Sequence, residues 1–307
     1  MIGPTDLEQE PPPEAAFQGE STRAAQSYWQ ESWQRLRGNR VGMYAGILIL
    51  GLAVFAICAP LISNFLTHYT PTQQALDHNF DPPNPHNWLG ADELGRDTLT
   101  RLIWGGRVTL GIGFLTVAIT ILVGGSVGLI AGYYGGWVDD ILMRFVDIIL
   151  AVPAIFLFIL MSILFAPNTF TLSLIIASVA WGSVARLVRG ETLSIKQRDF
   201  ILATRSVGAT DVRLMVRHLF PNVLPIMIVA ASLGVGGIIL TEAALDFLGL
   251  GIHQPTATWG NMLSNSQTFF VHSGWLVIFP GVMIFATVLA ANLFGNAVRD
   301  AFDPRLK

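Results

Sequence analysis

The apolar residues of this chain form long runs that are separated by short polar stretches. Four segments contain no Asp, Glu, Lys or Arg: 41–76, 108–138, 148–185 and 247–298. A helix that crosses a membrane needs about 20 predominantly apolar residues. Divided at Pro167 and at the polar stretch 254–273, these segments predict six membrane spans: 41–62, 108–133, 141–166, 169–188, 222–248 and 274–297. We therefore expect an all-α integral membrane protein.

The composition indicates the same class. The chain of 307 residues is 52% hydrophobic and 13% charged, with a mean hydropathy of +0.55, which is typical of a membrane protein. Its single cysteine, Cys58, lies in the first predicted span and excludes a disulfide within the chain. The acidic, proline-rich start predicts a disordered tail over residues 1–26.

The distribution of cations predicts the orientation. Fifteen of the 18 Lys and Arg residues fall on one side of the six predicted spans, and only Arg96, Arg101 and Arg107 fall on the other. Cytoplasmic loops of membrane proteins carry an excess of these residues. We therefore expect a multi-pass protein of a bacterial or archaeal plasma membrane with both termini in the cytoplasm. The exterior then holds a long first loop over residues 63–107.

Residues 27–40 predict a helix that lies in the headgroup layer before the first span. Trp29, Trp33 and Leu36 recur at helical spacing, and arginines lie among them. An amphipathic pattern of this kind is typical of helices that contact membrane lipid, so we interpret the segment as an anchor.

Small residues form a stripe in the second span. Gly124, Gly128 and Gly132 follow each other at intervals of four, and this spacing places them on one face of a helix. In lipid, such faces allow two helix backbones to approach closely. We therefore predict a helix-packing role for the three glycines.

Few ionisable residues fall inside the predicted spans. Asp147 lies three residues after Arg144, and this spacing predicts an ion pair on one helix face near the membrane surface. Glu242 and Asp246 lie near the outer end of the fifth span, where we expect water or backbone donors to reach them. None of these carboxylates is placed at mid-membrane by the sequence, which disfavours proton-coupled transport.

The basic cytoplasmic loop over residues 189–221 has helical patterning of its own. Phe200, Ile201, Thr204 and Val207 fall at helical spacing and predict an apolar ridge, which ends at Gly208. Thr210 suits the N-cap of a second short helix. The pattern predicts a helix–glycine–helix elbow that binds a soluble partner. A loose solvated loop and a helix on the membrane surface remain alternatives.

This elbow resembles the cytoplasmic motif of ABC importer permeases. That motif runs Glu-Ala-Ala, three residues, Gly, nine residues, then Ile-x-Leu-Pro. The chain has Leu202-Ala203-Thr204, Gly208 and His218-Leu219-Phe220-Pro221 at the same spacing. It departs from the motif at two positions, because Leu202 stands in place of the glutamate and Thr204 in place of the second alanine.

Three further segments resemble dipeptide, oligopeptide and nickel importer permeases. They are residues 89–97 with Arg101, residues 247–251 with Trp259 and Gly260, and residues 292–304. Four separated motifs in the right order over roughly residues 30–307 make chance agreement improbable.

The resemblance implies a type I ABC importer permease fold with six transmembrane helices. It also implies four kinds of contact: a second homologous permease subunit, two cytoplasmic ATP-binding subunits, an extracytoplasmic substrate-binding protein and membrane lipid. The residues that would couple to the ATPases are Ala203, Thr204, Arg205, Ser206, Val207, Gly208, Ala209, Thr210, Asp211 and Arg213.

The outer segment before the second span offers a further candidate site, made of Asp92, Gly95, Arg96, Asp97 and Arg101. Asp97 suits the N-cap of a helix that begins at Thr98. We interpret the cluster as structural, with docking of the delivery protein as the alternative.

The chain contains no Gly-x-x-x-x-Gly-Lys-Ser/Thr motif, so we expect ATP and Mg to be bound by the partner subunits and no enzyme activity in this chain. We predict no metal site and no nucleic-acid partner. The expected function is the permease subunit of an ATP-driven importer of di- and oligopeptides. Nickel, glutathione and sugar are the alternative cargoes, and an ion-coupled secondary carrier or a membrane scaffold are alternatives of other classes.

Overall fold

The computed structural model describes residues 28–271 and 273–303, and the predicted disordered tail lies outside them. Within these ranges, ten main helices follow one another. They are α1 (Tyr28–Gly38), α2 (Arg40–Ile57), α3 (Thr98–Tyr134), α4 (Gly136–Ala151), α5 (Ala154–Leu164), α6 (Thr169–Lys196), α7 (Asp199–Ser206), α8 (Phe220–Phe247), α9 (Trp259–Ser266) and α10 (Trp275–Phe302). Shorter helical turns are Ala59–Ile62, Ser63–Thr67, Leu76–His78, Asp211–Arg213, Leu214–Leu219 and Gln267–Phe269.

The described helices give up to six candidate membrane spans. Within the described residues, α2, α3, α6, α10 and the segment Asp211–Phe247 are each long and apolar enough to cross a bilayer. The pair α4 and α5, which meet at an angle of 84°, counts as the sixth when taken together as one broken span. The predicted helical membrane fold is therefore confirmed. The prediction of one continuous helix over 141–166 was wrong.

A proline explains the break in the third span. Val152 has an extended backbone and Pro153 stands at the N-cap of α5. Proline has no backbone N–H and disfavours the helical conformation at the residue before it, so the helix ends there.

The second span is longer than the charge-free run that predicted it. α3 begins at Thr98, and Asp97 caps it by accepting a hydrogen bond of 2.7 Å from the Thr100 backbone N–H. The expected outer loop 63–107 therefore ends at Asp97. The basic loop shortens in the same way, because residues 189–196 continue α6 and Phe220 begins α8. In both places arginines interrupt the apolar run but not the helix.

The predicted interfacial segment is helical over α1 and packs on the end of the chain. The Trp29 ring contacts the Phe302 ring edge-on at 5.5 Å, and Arg35 Nη1 donates to the Asp303 carbonyl at 3.0 Å. Asn39 then caps α2, since its side chain accepts from the Gly42 N–H at 2.9 Å. The first and last helices are thereby joined.

The glycines of α3 lie directly against the backbone of α6. A Cβ added to Gly124 would lie 2.5 Å from the Trp181 carbonyl oxygen, and one added to Gly128 would lie 2.4 Å from that of Ala185. At Gly132 the nearest atom would be Thr192 Cβ, at 2.7 Å. Because real Cβ atoms do not approach carbonyl oxygens this closely, only glycine permits the contact.

We predict that Gly128→Ala destabilises the protein, because the methyl group must displace the backbone of α6. Overpacking of this kind costs about 1–3 kcal/mol. Gly111→Ala, on the same helix, is the matched control, since its Cβ would lie 3.9 Å from the nearest atom. The measurement is the apparent Tm of the detergent-solubilised complex and its amount in the membrane. Equal Tm values for the two variants would contradict the close approach of α3 and α6.

Candidate functional site

The elbow consists of α7, a glycine turn and the helical segment that leads into α8. Gly208 lies at the turn with φ +85°, a left-handed conformation that side chains disfavour. The next helical turn begins at Asp211, with Thr210 at its N-cap. Thr210 has the expected extended backbone, but its side chain makes no capping hydrogen bond.

The elbow is fixed to the transmembrane helices by its inner face. Ile201 and Leu214 are buried in one apolar cluster with Val188 of α6 and Val223 of α8. The Tyr133 hydroxyl at the end of α3 donates to Asp211 Oδ1 at 2.5 Å, and Lys196 Nζ donates to the Tyr133 carbonyl oxygen. Three transmembrane helices therefore contact the elbow directly.

The outer face of the elbow, which points away from the transmembrane helices, is apolar and basic. Val207 is 90% exposed, and Leu202 and Val212 are also exposed. In the described part of the chain, neither Arg205 nor Arg213 forms an ion pair. Exposed apolar side chains ringed by polar groups are typical of protein–protein contacts.

The predicted apolar ridge of the elbow divides between these two faces. Ile201 points into the core, whereas Val207 points away from the molecule. Helical spacing placed Phe200, Ile201, Thr204 and Val207 on one ridge. The structure corrects this, because the helix ends before Val207 and turns it outward.

The outer motif forms a buried cluster of charges. Arg96 Nε lies 2.7 Å and Arg101 Nε 3.2 Å from Asp92 Oδ2, and both arginine side chains are 2% exposed. Asp92 Oδ1 also accepts from the Leu94 and Arg96 backbone N–H groups, at 2.9 and 3.0 Å. One carboxylate therefore contacts two guanidinium groups and accepts from two backbone donors, while Arg96 Nη2 also donates to Glu93 Oε1 at 2.8 Å.

This cluster joins separate parts of the outer surface. Arg96 Nη1 donates to Gln254 Oε1 in the loop after α8, and Arg101 Nη1 donates to the Pro71 carbonyl in the first outer loop. Gly95, with φ +69°, leaves no room for a Cβ, which would lie 1.8 Å from the Ala75 carbonyl oxygen. Burial raises the pKa of the Asp97 carboxyl above its ordinary value, although the hydrogen bonds from Thr100 oppose this shift.

A second buried polar cluster lies at the end of α8. Glu242 and Asp246 are 0% and 5% exposed, so of the two expected kinds of donor it is a backbone N–H, and not solvent, that reaches Asp246. Thr109 donates to Glu242 Oε1 at 3.2 Å, while Asp246 accepts from the Thr258 hydroxyl and, at 2.8 Å, from the Ile252 N–H. The carboxylates thus hold the loop between α8 and α9 against α3.

Two glycines make room for this second cluster. A Cβ on Gly251 would lie 1.7 Å from Asp246 Oδ1, and one on Gly260 would lie 2.7 Å from Oδ2. The glycines and the Trp259-Gly260 pair were visible in the sequence, but nothing in their spacing identified Asp246 as their common neighbour.

The predicted ion pair between Arg144 and Asp147 does not form. Asp147 instead pairs with Arg186 of α6, and Asp139 pairs with Arg189, whose Nε and Nη2 each lie 2.5 Å from a carboxylate oxygen. Both pairs therefore join α4 to α6. A pattern within one helix could not reveal them, because the partners are about 40 to 50 residues apart in sequence.

Residues 28–271 and 273–303 contain no group of three or more His, Cys, Asp or Glu side chains arranged to hold a metal ion.

Two family models match the chain. Residues 124–307 match the family described as binding-protein-dependent transport system inner membrane component, and residues 27–83 match the N-terminal TM domain of oligopeptide transport permease C. The matched ranges contain the elbow and the first span.

Curated relatives cover almost the whole chain. A dipeptide transport system permease protein of Alkalihalophilus pseudofirmus is 38% identical over 97% of this chain and 94% of the relative. A glutathione transport system permease protein of Pectobacterium atrosepticum is 36% identical over 93% and 94%. An oligopeptide transport system permease protein of Bacillus subtilis is 34% identical over 96% of each.

A solved structure shares the fold. The inward-facing MetNI methionine ABC transporter contains a chain that aligns with a TM-score of 0.54 and 20% identity, covering 66% of this chain and 97% of that one. The resemblance read from the sequence is therefore confirmed at the level of family and fold.

We predict that Asp92→Ala strongly destabilises the outer surface, because two buried guanidinium groups lose their shared partner. Breaking a buried pair costs about 3–5 kcal/mol. Asp81→Ala is the control, since Asp81 pairs only with the exposed His78, and such surface pairs contribute up to about 1 kcal/mol. Thermal unfolding of the complex measures the loss of stability in both variants. A loss for Asp92→Ala no larger than for Asp81→Ala would contradict the structural role of the outer motif.

Proposed function

This chain belongs to the family of binding-protein-dependent transport system inner membrane components, and from that premise we propose that it carries di- and oligopeptides across the membrane as a permease subunit of an ABC importer. The cargo is inferred from relatives that are named dipeptide and oligopeptide permeases and that align over nearly their full length. Glutathione, itself a short peptide, is the second candidate, because a relative of similar identity carries that name.

The elbow is the observation that carries the proposal. Its inner face is packed on three transmembrane helices, while its outer face presents the exposed side chains of Val207, Leu202 and Arg205. A loose solvated loop would not be packed in this way. A soluble ATPase that docks on the outer face would cover the apolar side chains and meet the basic groups.

The proposed complex contains this permease, a second homologous permease, two cytoplasmic ATP-binding subunits and an extracytoplasmic substrate-binding protein. ATP and Mg are bound by the ATPases, since this sequence lacks the phosphate-binding motif. The complex lies in a bacterial or archaeal plasma membrane with both termini of this chain in the cytoplasm. The distribution of Lys and Arg supports that orientation.

Coupling would pass from the ATPases through residues Ala203–Arg213 into the helices. Closure of the ATPases moves the elbow, and the elbow moves α6, which ends three residues before α7 begins. Because the α3 glycines lie against the α6 backbone, the two helices would move as one body and open the path alternately to each side.

We predict that peptide uptake by the complete complex requires ATP and not a proton gradient. Uptake in intact cells should continue after the gradient is collapsed with an uncoupler while ATP is maintained, and should stop when ATP is depleted. The measurement is accumulation of a radiolabelled dipeptide. The opposite result, uptake that follows the gradient and ignores ATP, would favour an ion-coupled carrier.

We predict that Gly208→Val impairs coupling, because a β-branched residue resists the left-handed conformation at this turn. The conformational cost is at least about 1–2 kcal/mol, equivalent to roughly a 5- to 30-fold population change. Uptake should fall about fivefold or more while the amount of complex in the membrane is unchanged. Gly51→Val in α2 is the control, since Gly51 also has open space around it but a helical backbone. Normal uptake in Gly208→Val would exclude the elbow from coupling.

A further inference from the structure

One of the two ion pairs that join α4 to α6 lies on an open face of the transmembrane helices. Asp147 of α4 and Arg186 of α6 form an ion pair, yet their side chains are 60% and 51% exposed. The neighbouring pair of Asp139 and Arg189 is more enclosed, at 11% and 35%. The Asp147–Arg186 pair is therefore bonded, but both side chains remain accessible to a molecule that lies beside α4 and α6.

Helix length places the pair within the predicted span, toward its inner end. Arg186 follows Thr169, the first residue of α6, by 17 residues, which places its Cα about 26 Å along the helix. The hydrocarbon layer is about 30 Å thick. Asp147 lies at a similar depth, since Val146 packs on Ala185 and Leu150 lies 3.2 Å from the Cβ position of Gly182.

Exposed charges inside a membrane span rarely face lipid. Asp140, Arg144 and Asp147 recur at helical spacing and form an exposed polar stripe along α4. Trp137, Ile141, Phe145 and Ile148 form an adjacent apolar stripe, which is exposed as well. On α6, Ser183, Arg186 and Gly190 are exposed at matching spacing. Ionisable residues within membrane spans face a water-filled cavity or a protein neighbour.

We propose that Asp147 and Arg186 line the water-filled translocation path in the inner half of the membrane, where they contact charged groups of the cargo. A carboxylate and a guanidinium held side by side match the amine and carboxylate of a zwitterionic peptide. The proposal rests on the proposed function for its cargo and on the predicted orientation for its depth.

The position of the pair also connects it to the elbow. Arg186 lies on α6, whose last residue, Lys196, is three residues before α7. Asp147 lies on α4, the first half of the broken span, which is joined to α6 by both ion pairs. A movement of α6 would therefore act directly on the wall of the path.

Thiol labelling of the complete complex tests the location. Asp147→Cys and Arg186→Cys are made in a Cys58→Ala background and treated with a charged, membrane-impermeant methanethiosulfonate in inside-out vesicles. Ile148→Cys is the control, because Ile148 is 66% exposed on the apolar stripe of α4. We expect positions 147 and 186 to react at least about tenfold faster than 148, since a thiol in hydrocarbon does not ionise. Similar rates at all three positions, whether fast or slow, would overturn the proposal.

Peptide uptake tests the contact with cargo. The ratio of uptake between a dipeptide and its C-terminal amide is compared in the wild type, Arg186→Gln and Arg186→Lys, with the same binding protein present. Arg186→Gln should shift the ratio towards the amide by about two- to fivefold, the range for an exposed charge contact. Arg186→Lys, which keeps the charge, should shift it by less than about twofold.

An unchanged ratio in Arg186→Gln would overturn the cargo contact. Labelling does not depend on transport, so its outcome is separate from that of the proposed function. Failure of the wild-type complex to take up any peptide with ATP would count against the peptide cargo, whatever the labelling result.

Discussion

The close approach of α3 and α6 is the constraint on which the rest of the structure depends. Lipid tails are as apolar as leucine side chains, so helices in a bilayer gain little from hiding apolar surface against each other. Their association comes instead from van der Waals contact and polar bonds. In this chain the contact is made between backbones at Gly124, Gly128 and Gly132. Lys196 of α6 then donates to the Tyr133 carbonyl oxygen at the end of α3, and the Tyr133 hydroxyl joins the same end to Asp211 of the elbow.

The bonding of the buried carboxylates also depends on the absence of water around them. Asp92 and Asp246 each accept several hydrogen bonds in buried clusters, and each joins elements that are far apart in sequence. Both clusters lie on the predicted outer side, where loops rather than helices must be held. A carboxylate can bind several backbone N–H groups and side-chain donors at once, which suits it to fixing irregular backbone. The two clusters therefore hold the loop backbone in place, as backbone hydrogen bonds within helices do inside the membrane.

The sequence predicted the number of spans, the N-cap at Asp97, the elbow and the family, because each depends on local composition or on a short motif. The first and last residues of the helices were less predictable from the sequence. Arg107 ends a charge-free run, but α3 extends past it to Thr98 and includes Arg101, which pairs with Asp92. Partners of charges could not be predicted, since Asp147 and Arg186 meet through the packing of two helices. The burial of Glu242 was missed for the same reason: a position near a span's end does not say which neighbours cover it.

The break at Pro153 gives the third span a different mechanical character from its neighbours. α3 and α6 are long, continuous and in backbone contact, so force on one passes to the other with little loss. α4 and α5 meet at 84°, and α4 is held to α6 mainly by the two ion pairs and a small apolar contact around Val146. Ion pairs that are partly exposed are weak and adjustable, whereas glycine-packed backbones are not. In a wall that moves, one part must transmit displacement and another must yield to it. The rigid pair of α3 and α6 meets the first requirement, and α4, which is held by adjustable bonds, meets the second.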